Sequence, residues 1–82
     1  MIKQKRGFKT MEFYQRIREQ REDRDLNQTD IGKKTGMSQR KISRLENNDT
    51  QPTTEEIKIF CKLYNLSADY LLGLIDEPRP LH

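Results

Sequence analysis

The chain is predicted to be all-α, five short helices with a helix-turn-helix at the second and third. Three observations predict this. Apolar residues recur at helical spacing, as in Ile57, Phe60, Cys61 and Tyr64, and no strand-like alternation occurs. Helix-capping and helix-stopping residues (Asn27, Gly36, Ser38, Thr53, Gly73) punctuate the chain at short intervals. The stretch from Asn27 to Asn47, NQTDIGKKTGMSQRKISRLEN, reads as two short helices joined by a tight turn.

The elements follow in order. Residues 1–10 are basic, contain Gly7 and lack periodicity, so a flexible arm is expected there. Thr10 is placed to cap a first helix running to about Asp25, with Phe13, Tyr14 and Ile17 on its buried side. Its later turns are almost wholly charged, and only Ile17, the stems of Gln20 and Arg21, and Leu26 can pack inward. Asn27 caps the second helix, Gln28 to Thr35, and Asp30 favours its positive end. Gly36 supplies the positive φ of a sharp stop, Met37 plugs the turn, and Ser38 caps a third helix, Gln39 to Glu46. After a polar loop, Thr53 and Glu56 form a capping box for a fourth helix, Thr54 to Tyr64. Leu66 packs back, Ser67 and Asp69 begin a fifth helix, Ala68 to Leu72, and Gly73 ends it. The domain is expected over residues 11–75, with 76–82 an extended tail.

The third helix carries the functional signal. Ile42 and Leu45 share one face, while Gln39, Arg40, Lys41, Ser43 and Arg44 project elsewhere. Arg grips guanine in bidentate fashion and Gln does the same to adenine, so this surface suits the DNA major groove. Charge is polarised to match. Residues 1–44 hold 13 of the 16 Lys and Arg and 6 of the 13 acids, giving +7, whereas residues 45–82 come to −4.

Composition narrows the remaining classes. Eighty-two residues allow one small domain, with 32% hydrophobic residues and hence a thin core. A single cysteine, Cys61, forbids an internal disulfide and suits a reducing compartment. No apolar run approaches a membrane span, so a cytoplasmic protein is expected. Catalysis has little to stand on. His82 is terminal, Cys61 lies on the apolar stripe, and the pairs Asp23–Asp25 and Glu55–Glu56 fit helix-end electrostatics. No metal-ligand spacing or phosphate-cradling glycine loop is present, so neither enzyme activity nor a cofactor is expected.

LNQTDIGKKTGMSQRKISRLENN together with LYNLSADYLLGL resembles the phage lambda-type repressor and Cro superfamily, the XRE-type helix-turn-helix domains. The resemblance spans Arg16 to Gly73. It implies a five-helix lambda-repressor-like domain that binds double-stranded operator DNA, most often as a homodimer on a palindromic site and as a repressor. By position, Gln39, Arg40 and Arg44 would read bases. Gln28, Lys41, Ser43 and Asn47 would hold phosphates, and Arg21 and Glu46 would form a structural ion pair. Four positions depart from the family pattern: Gln20 stands for the usual Leu, Gly32 for Ala, and Asn48-Asp49 for Gly and a basic residue.

Dimer contact is expected at Leu72, Leu74 and Ile75, since the fifth helix and its exit carry more apolar residues than its own packing needs. Leu71 is expected to seal the core, with Leu74 and Ile75 outside. No room is left for an effector domain, so regulation would come from protein level, dimerisation or an unidentified protein partner. The competing function is a helix-turn-helix whose main target is a protein, as in an antitoxin or assembly factor. Such a version should carry apolar or acidic residues on the third helix, where this chain carries Gln39, Arg40, Lys41 and Arg44.

Overall fold

Five helices make up the computed structural model, which describes residues 11–81: α1 (Phe13–Asp23), α2 (Gln28–Thr35), α3 (Gln39–Glu46), α4 (Thr54–Tyr64) and α5 (Ala68–Leu71). No strand occurs among the described residues, so the all-α expectation holds. The arm expected over residues 1–10 lies outside the described residues. Among the described residues no helix is long and apolar enough to cross a membrane.

The helix starts are set by local side chains. Asn27 and Asp30 exchange hydrogen bonds reciprocally, with Asp30 N–H donating to Asn27 Oδ1 at 2.8 Å and Asn27 N–H to Asp30 Oδ2 at 2.9 Å. Thr53 and Glu56 do the same at α4, and Ser38 and Ser67 cap α3 and α5. At α1 the cap position is Glu12, not the expected Thr10: the first helical residue is Phe13, and Glu12 N–H donates to Gln15 Oε1 at 2.9 Å.

The helix ends use the left-handed region repeatedly. Gly36 takes φ +80° and terminates α2. Asp25 at φ +56° stops α1 two residues earlier than the sequence suggests, with Leu26 N–H returning to Arg21 O at 3.2 Å. Asn48 at φ +60° does the same after α3, where Asp49 N–H reaches Arg44 O at 2.8 Å and Asn48 N–H reaches Leu45 O at 3.3 Å. Asn tolerates this backbone better than most other residues bearing a Cβ, so it can stand at the position where the resemblance leads to an expectation of Gly.

The core sits between α1, α3, α4 and α5, with α2 closing one side. Ile17, Ile31, Ile42, Leu45, Phe60 and Leu71 are fully buried. Phe60 meets Phe13 edge-on at 5.9 Å and stacks on Tyr64 at 6.1 Å. Tyr14, expected on the buried side, is only half-buried. The inward position is taken instead by Arg16, which is 2% exposed. Its guanidinium lies 4.3 Å from the Tyr70 ring centre and donates to the carbonyls of Met11, Tyr70 and Ile75 at 3.0, 2.9 and 2.9 Å. Arg16 therefore ties α1 to α5 and to the chain leaving it.

Just past the end of α1 a second cation meets an aromatic ring. Arg24 lies 4.9 Å from the Tyr64 ring centre, and its Nη1 donates to Gln20 Oε1 at 2.6 Å. Gln20, a departure from the usual Leu, thus holds a cation over the core aromatic. Gly32 is a close-approach position: a Cβ there would stand 2.8 Å from Met37 O. The α2–α3 turn has closed further than an alanine would allow without a shift. The tail runs back across the α4–α5 connection, with Ser67 N–H donating to Arg79 O at 2.7 Å and Leu81 N–H to Asn65 O at 3.2 Å.

Tyr64 carries a testable electrostatic consequence. Its hydroxyl is buried with no hydrogen-bond partner among the described residues, and burial pushes the phenol up from 10.0 to about 12, with Glu46 adding to the rise. A raised folded-state pKa means the stability from neutral Tyr64 is complete below pH 10 and is lost as pH climbs through about 12. Tyr64→Phe is expected to raise stability at neutral pH by about 1 kcal/mol, since an unsatisfied buried hydroxyl is removed. It should also flatten the alkaline decline. Urea melts at neutral and alkaline pH check both, and a Phe variant less stable than the parent at neutral pH would contradict them.

Candidate nucleic-acid interface

The candidate interface is the outward side of α3 together with the start of α2. Burial of Ile42 and Leu45 fixes the rotation of α3 about its axis. Gln39, Arg40, Arg44 and Asn47 are consequently exposed, and Lys41 and Ser43 are half-buried at the margins. Neither Arg40 nor Arg44 has a side-chain hydrogen bond or ion pair to another described residue. Two guanidinium groups thus project from one helix face with no partner among the described residues.

The phosphate set is less uniform. Gln28 is half-buried and already engaged inside the chain. Its Nε2 donates to Glu46 Oε1 at 3.1 Å, and its Oε1 accepts from Gln39 Nε2 at 2.7 Å. Lys41 Nζ lies 3.3 Å from Glu56 Oε2, which draws the ammonium back toward α4. A phosphate contact from Lys41 would have to share or open that pair, whose acid also closes the α4 capping box. Asn47 Nδ2 reaches Ser43 Oγ at 3.5 Å, so these two side chains stand together at the end of α3.

Beneath the surface, Arg21 and Glu46 meet in a fork. Arg21 Nε donates to Glu46 Oε2 at 2.8 Å and Nη2 to Oε1 at 3.0 Å, while Nη1 donates to Leu26 O at 2.8 Å. The hydrogen bond to Glu46 is the main cause of the upward shift in the Arg21 pKa. The Glu46 side chain is 2% exposed and that of Arg21 13%, so the carboxylate depends on its partners for solvation.

At the opposite end, Leu72 and Leu74 are exposed, at 45% and 73%, and Leu71 is sealed in the core. Ile75 corrects the sequence reading. Expected outside, it is half-buried and packed against the core, because its carbonyl is held by Arg16 and its N–H donates to Asp69 O at 3.3 Å. Arg16 and the Lys41–Glu56 pair were missed by reasoning from sequence. Arg16 had a signal, since it lies one turn before Gln20 and one residue before Ile17 on a helix short of apolar residues. Lys41 with Glu56 had none, as nothing local brings the two positions together.

With this geometry in place, comparison with known proteins gives a consistent picture. A helix-turn-helix family model matches residues 17–71. The uncharacterized HTH-type transcriptional regulator YobD of Bacillus subtilis (strain 168) is 31% identical over 68 residues. That match covers 83% of this chain and 61% of YobD, so the chain spans less than two thirds of this relative's length. The crystal structure of the P22 c2 repressor in complex with a synthetic operator superimposes with a TM-score of 0.71 at 35% identity, covering 77% of this chain and 96% of that one. The solution structure of the DNA-binding domain of the same repressor gives 0.72 at 33% identity, covering 80% and 87%.

Proposed function

This chain belongs to the helix-turn-helix family matched over residues 17–71, and from that premise we propose that it is a sequence-specific double-stranded DNA-binding transcriptional regulator. The observation that carries this reading is the α3 surface: Gln39, Arg40 and Arg44 stand exposed on a helix whose opposite face is locked into the core by Ile42 and Leu45. Helix α3 would enter the major groove with these three side chains at base edges. Gln28, Ser43 and Asn47 would meet phosphates along its margins, with Lys41 contributing only if it shares its charge with Glu56. The +7 of the first 44 residues would draw the domain to DNA. The P22 c2 repressor, seen with a synthetic operator, supports a repressor in preference to an activator.

The working unit in this reading is a homodimer on a palindromic operator. One recognition helix touches too few base pairs to mark a unique site, and two-fold pairing doubles the contact. Leu72 and Leu74 are the exposed apolar residues available for that pairing, with Ile75 half-buried beside them in sequence.

Selection of bound sequences from random duplex DNA tests the proposal, since it returns half-site, spacing and symmetry together. Gln39→Ala, Arg40→Ala and Arg44→Ala are each expected to weaken the selected site by about 1–3 kcal/mol and to relax preference at one base pair. A triple variant with unchanged specificity would refute the assignment. A one-to-one complex on a single non-palindromic half-site, seen by footprinting and sedimentation, would refute the dimer.

A further inference from the structure

Helix α3 carries three cations, Arg40, Lys41 and Arg44, and among the described residues only Lys41 is paired. Its partner belongs to a different helix. Lys41 Nζ lies 3.3 Å from Oε2 of Glu56, in the first turn of α4. That carboxylate is held in place from the other side. Its Oε1 accepts from Thr53 N–H at 2.9 Å, while Glu56 N–H donates to Thr53 Oγ1 at 3.1 Å. The capping box thus occupies one oxygen and leaves the other for α3. Side-chain exposure is 15% for Glu56 and 33% for Lys41, against 80% and 62% for the neighbouring Glu55–Lys58 pair. An exposed pair loses most of its attraction to screening and side-chain entropy. Here the acid is already ordered by its cap and partly shielded from water, so the ammonium is held.

We propose that Glu56 restrains Lys41 from the DNA backbone, lowering nonspecific binding and so raising selectivity for the operator. This rests on α3 being the DNA-reading helix, as in the proposed function. Nonspecific binding comes almost wholly from cations that neutralise phosphates. A lysine already neutralised by a carboxylate adds no net charge to that attraction. At the operator, base contacts hold α3 at close range and in fixed register, where a phosphate along its margin can displace the carboxylate. A loose complex on any other sequence offers no phosphate fixed in that place. Lys41 therefore counts toward binding at the operator and is withheld elsewhere, which widens the gap between the two affinities. Glu56 keeps its bond to Thr53 N–H when Lys41 leaves, so α4 stays capped through the exchange.

Glu56→Gln tests the restraint, because glutamine closes the same capping box and removes only the charge. The full chain, Glu56→Gln, Lys41→Gln and the double variant are titrated against the selected operator and a scrambled duplex between about 50 and 200 mM salt. On scrambled duplex, Glu56→Gln is expected to steepen the salt slope by about 0.9, an extra loss of about 3.5-fold over that range. On the operator its slope should match the parent's, since Lys41 is already engaged there. Lys41→Gln should do the reverse, giving up about 0.9 on the operator and nothing on scrambled duplex. The double variant should return to the parent's slope on scrambled duplex. Glu55→Gln removes an exposed acid one residue away and reports the general effect of charge, which should move both affinities alike. Melting curves establish that each variant is folded, and Lys41→Gln carries the test if Glu56→Gln does not fold. An unchanged scrambled-duplex slope in Glu56→Gln overturns the restraint while leaving DNA binding in place. So does a rise that persists in the double variant or is matched by Glu55→Gln, or a Lys41→Gln variant that loses slope equally on both duplexes. A parent chain that selects no sequence at all overturns the DNA-reading assignment itself and the restraint with it.

Discussion

Arg16→Met is expected to lower stability by roughly 3–5 kcal/mol, enough to unfold much of a domain this small. The substitution keeps most of the aliphatic stem, so the loss comes from the guanidinium. That group satisfies three backbone carbonyls from two distant parts of the chain, and the Tyr70 carbonyl among them is buried. Each carbonyl stripped of its donor keeps its desolvation penalty, about 1–3 kcal/mol when no water can replace the bond. The ion pair with Asp76 contributes little by comparison. It is 3.6 Å long and its acid is 74% exposed, so Asp76→Asn should change stability by less than about 1 kcal/mol. Arg16→Lys should recover only part of the loss, since a single ammonium cannot reproduce a planar fork reaching three acceptors. Thermal melts of the three variants check the order, with about 4–8 °C expected per kcal/mol at this size. Arg16→Met melting within a few degrees of the parent would mean that α5 is held by its apolar contacts alone.

What could be read in the sequence divides along a physical line. Interactions that close within one turn were legible: the caps at Asn27, Ser38, Thr53 and Ser67, the left-handed stop at Gly36, and the boundaries of α2, α3 and α4. Each depends on residues no more than four apart, so spacing alone describes the partners. Less legible were cationic side chains laid over core aromatic rings. Arg16 and Arg24 look like solvated charges in a run of charged residues, yet both lie over aromatic rings contributed by distant helices. Ile75 was misread for the same reason: its burial depends on Arg16, 59 positions earlier. The outward face of α3 was legible because two apolar residues fix its rotation. The engagement of Gln28 and Lys41 was not, because it depends on where α4 and the end of α3 lie.

The second large effect is expected at the Arg21–Glu46 pair, and it should be asymmetric. Arg21→Met leaves a carboxylate that is 2% exposed with only the Gln28 amide in support, and is expected to destabilise by about 3–5 kcal/mol. Glu46→Leu leaves a guanidinium that still bonds Leu26 O at 2.8 Å and lies nearer solvent, so its loss should be the smaller of the two. The double variant removes both charges and fills the space with apolar groups, and should recover most of what Arg21→Met loses. A double-mutant cycle by urea denaturation measures this as a coupling of about 2–4 kcal/mol, against the few tenths that independent sites would show. Small and equal losses for both single variants, with no coupling, would mark the pair as replaceable surface electrostatics.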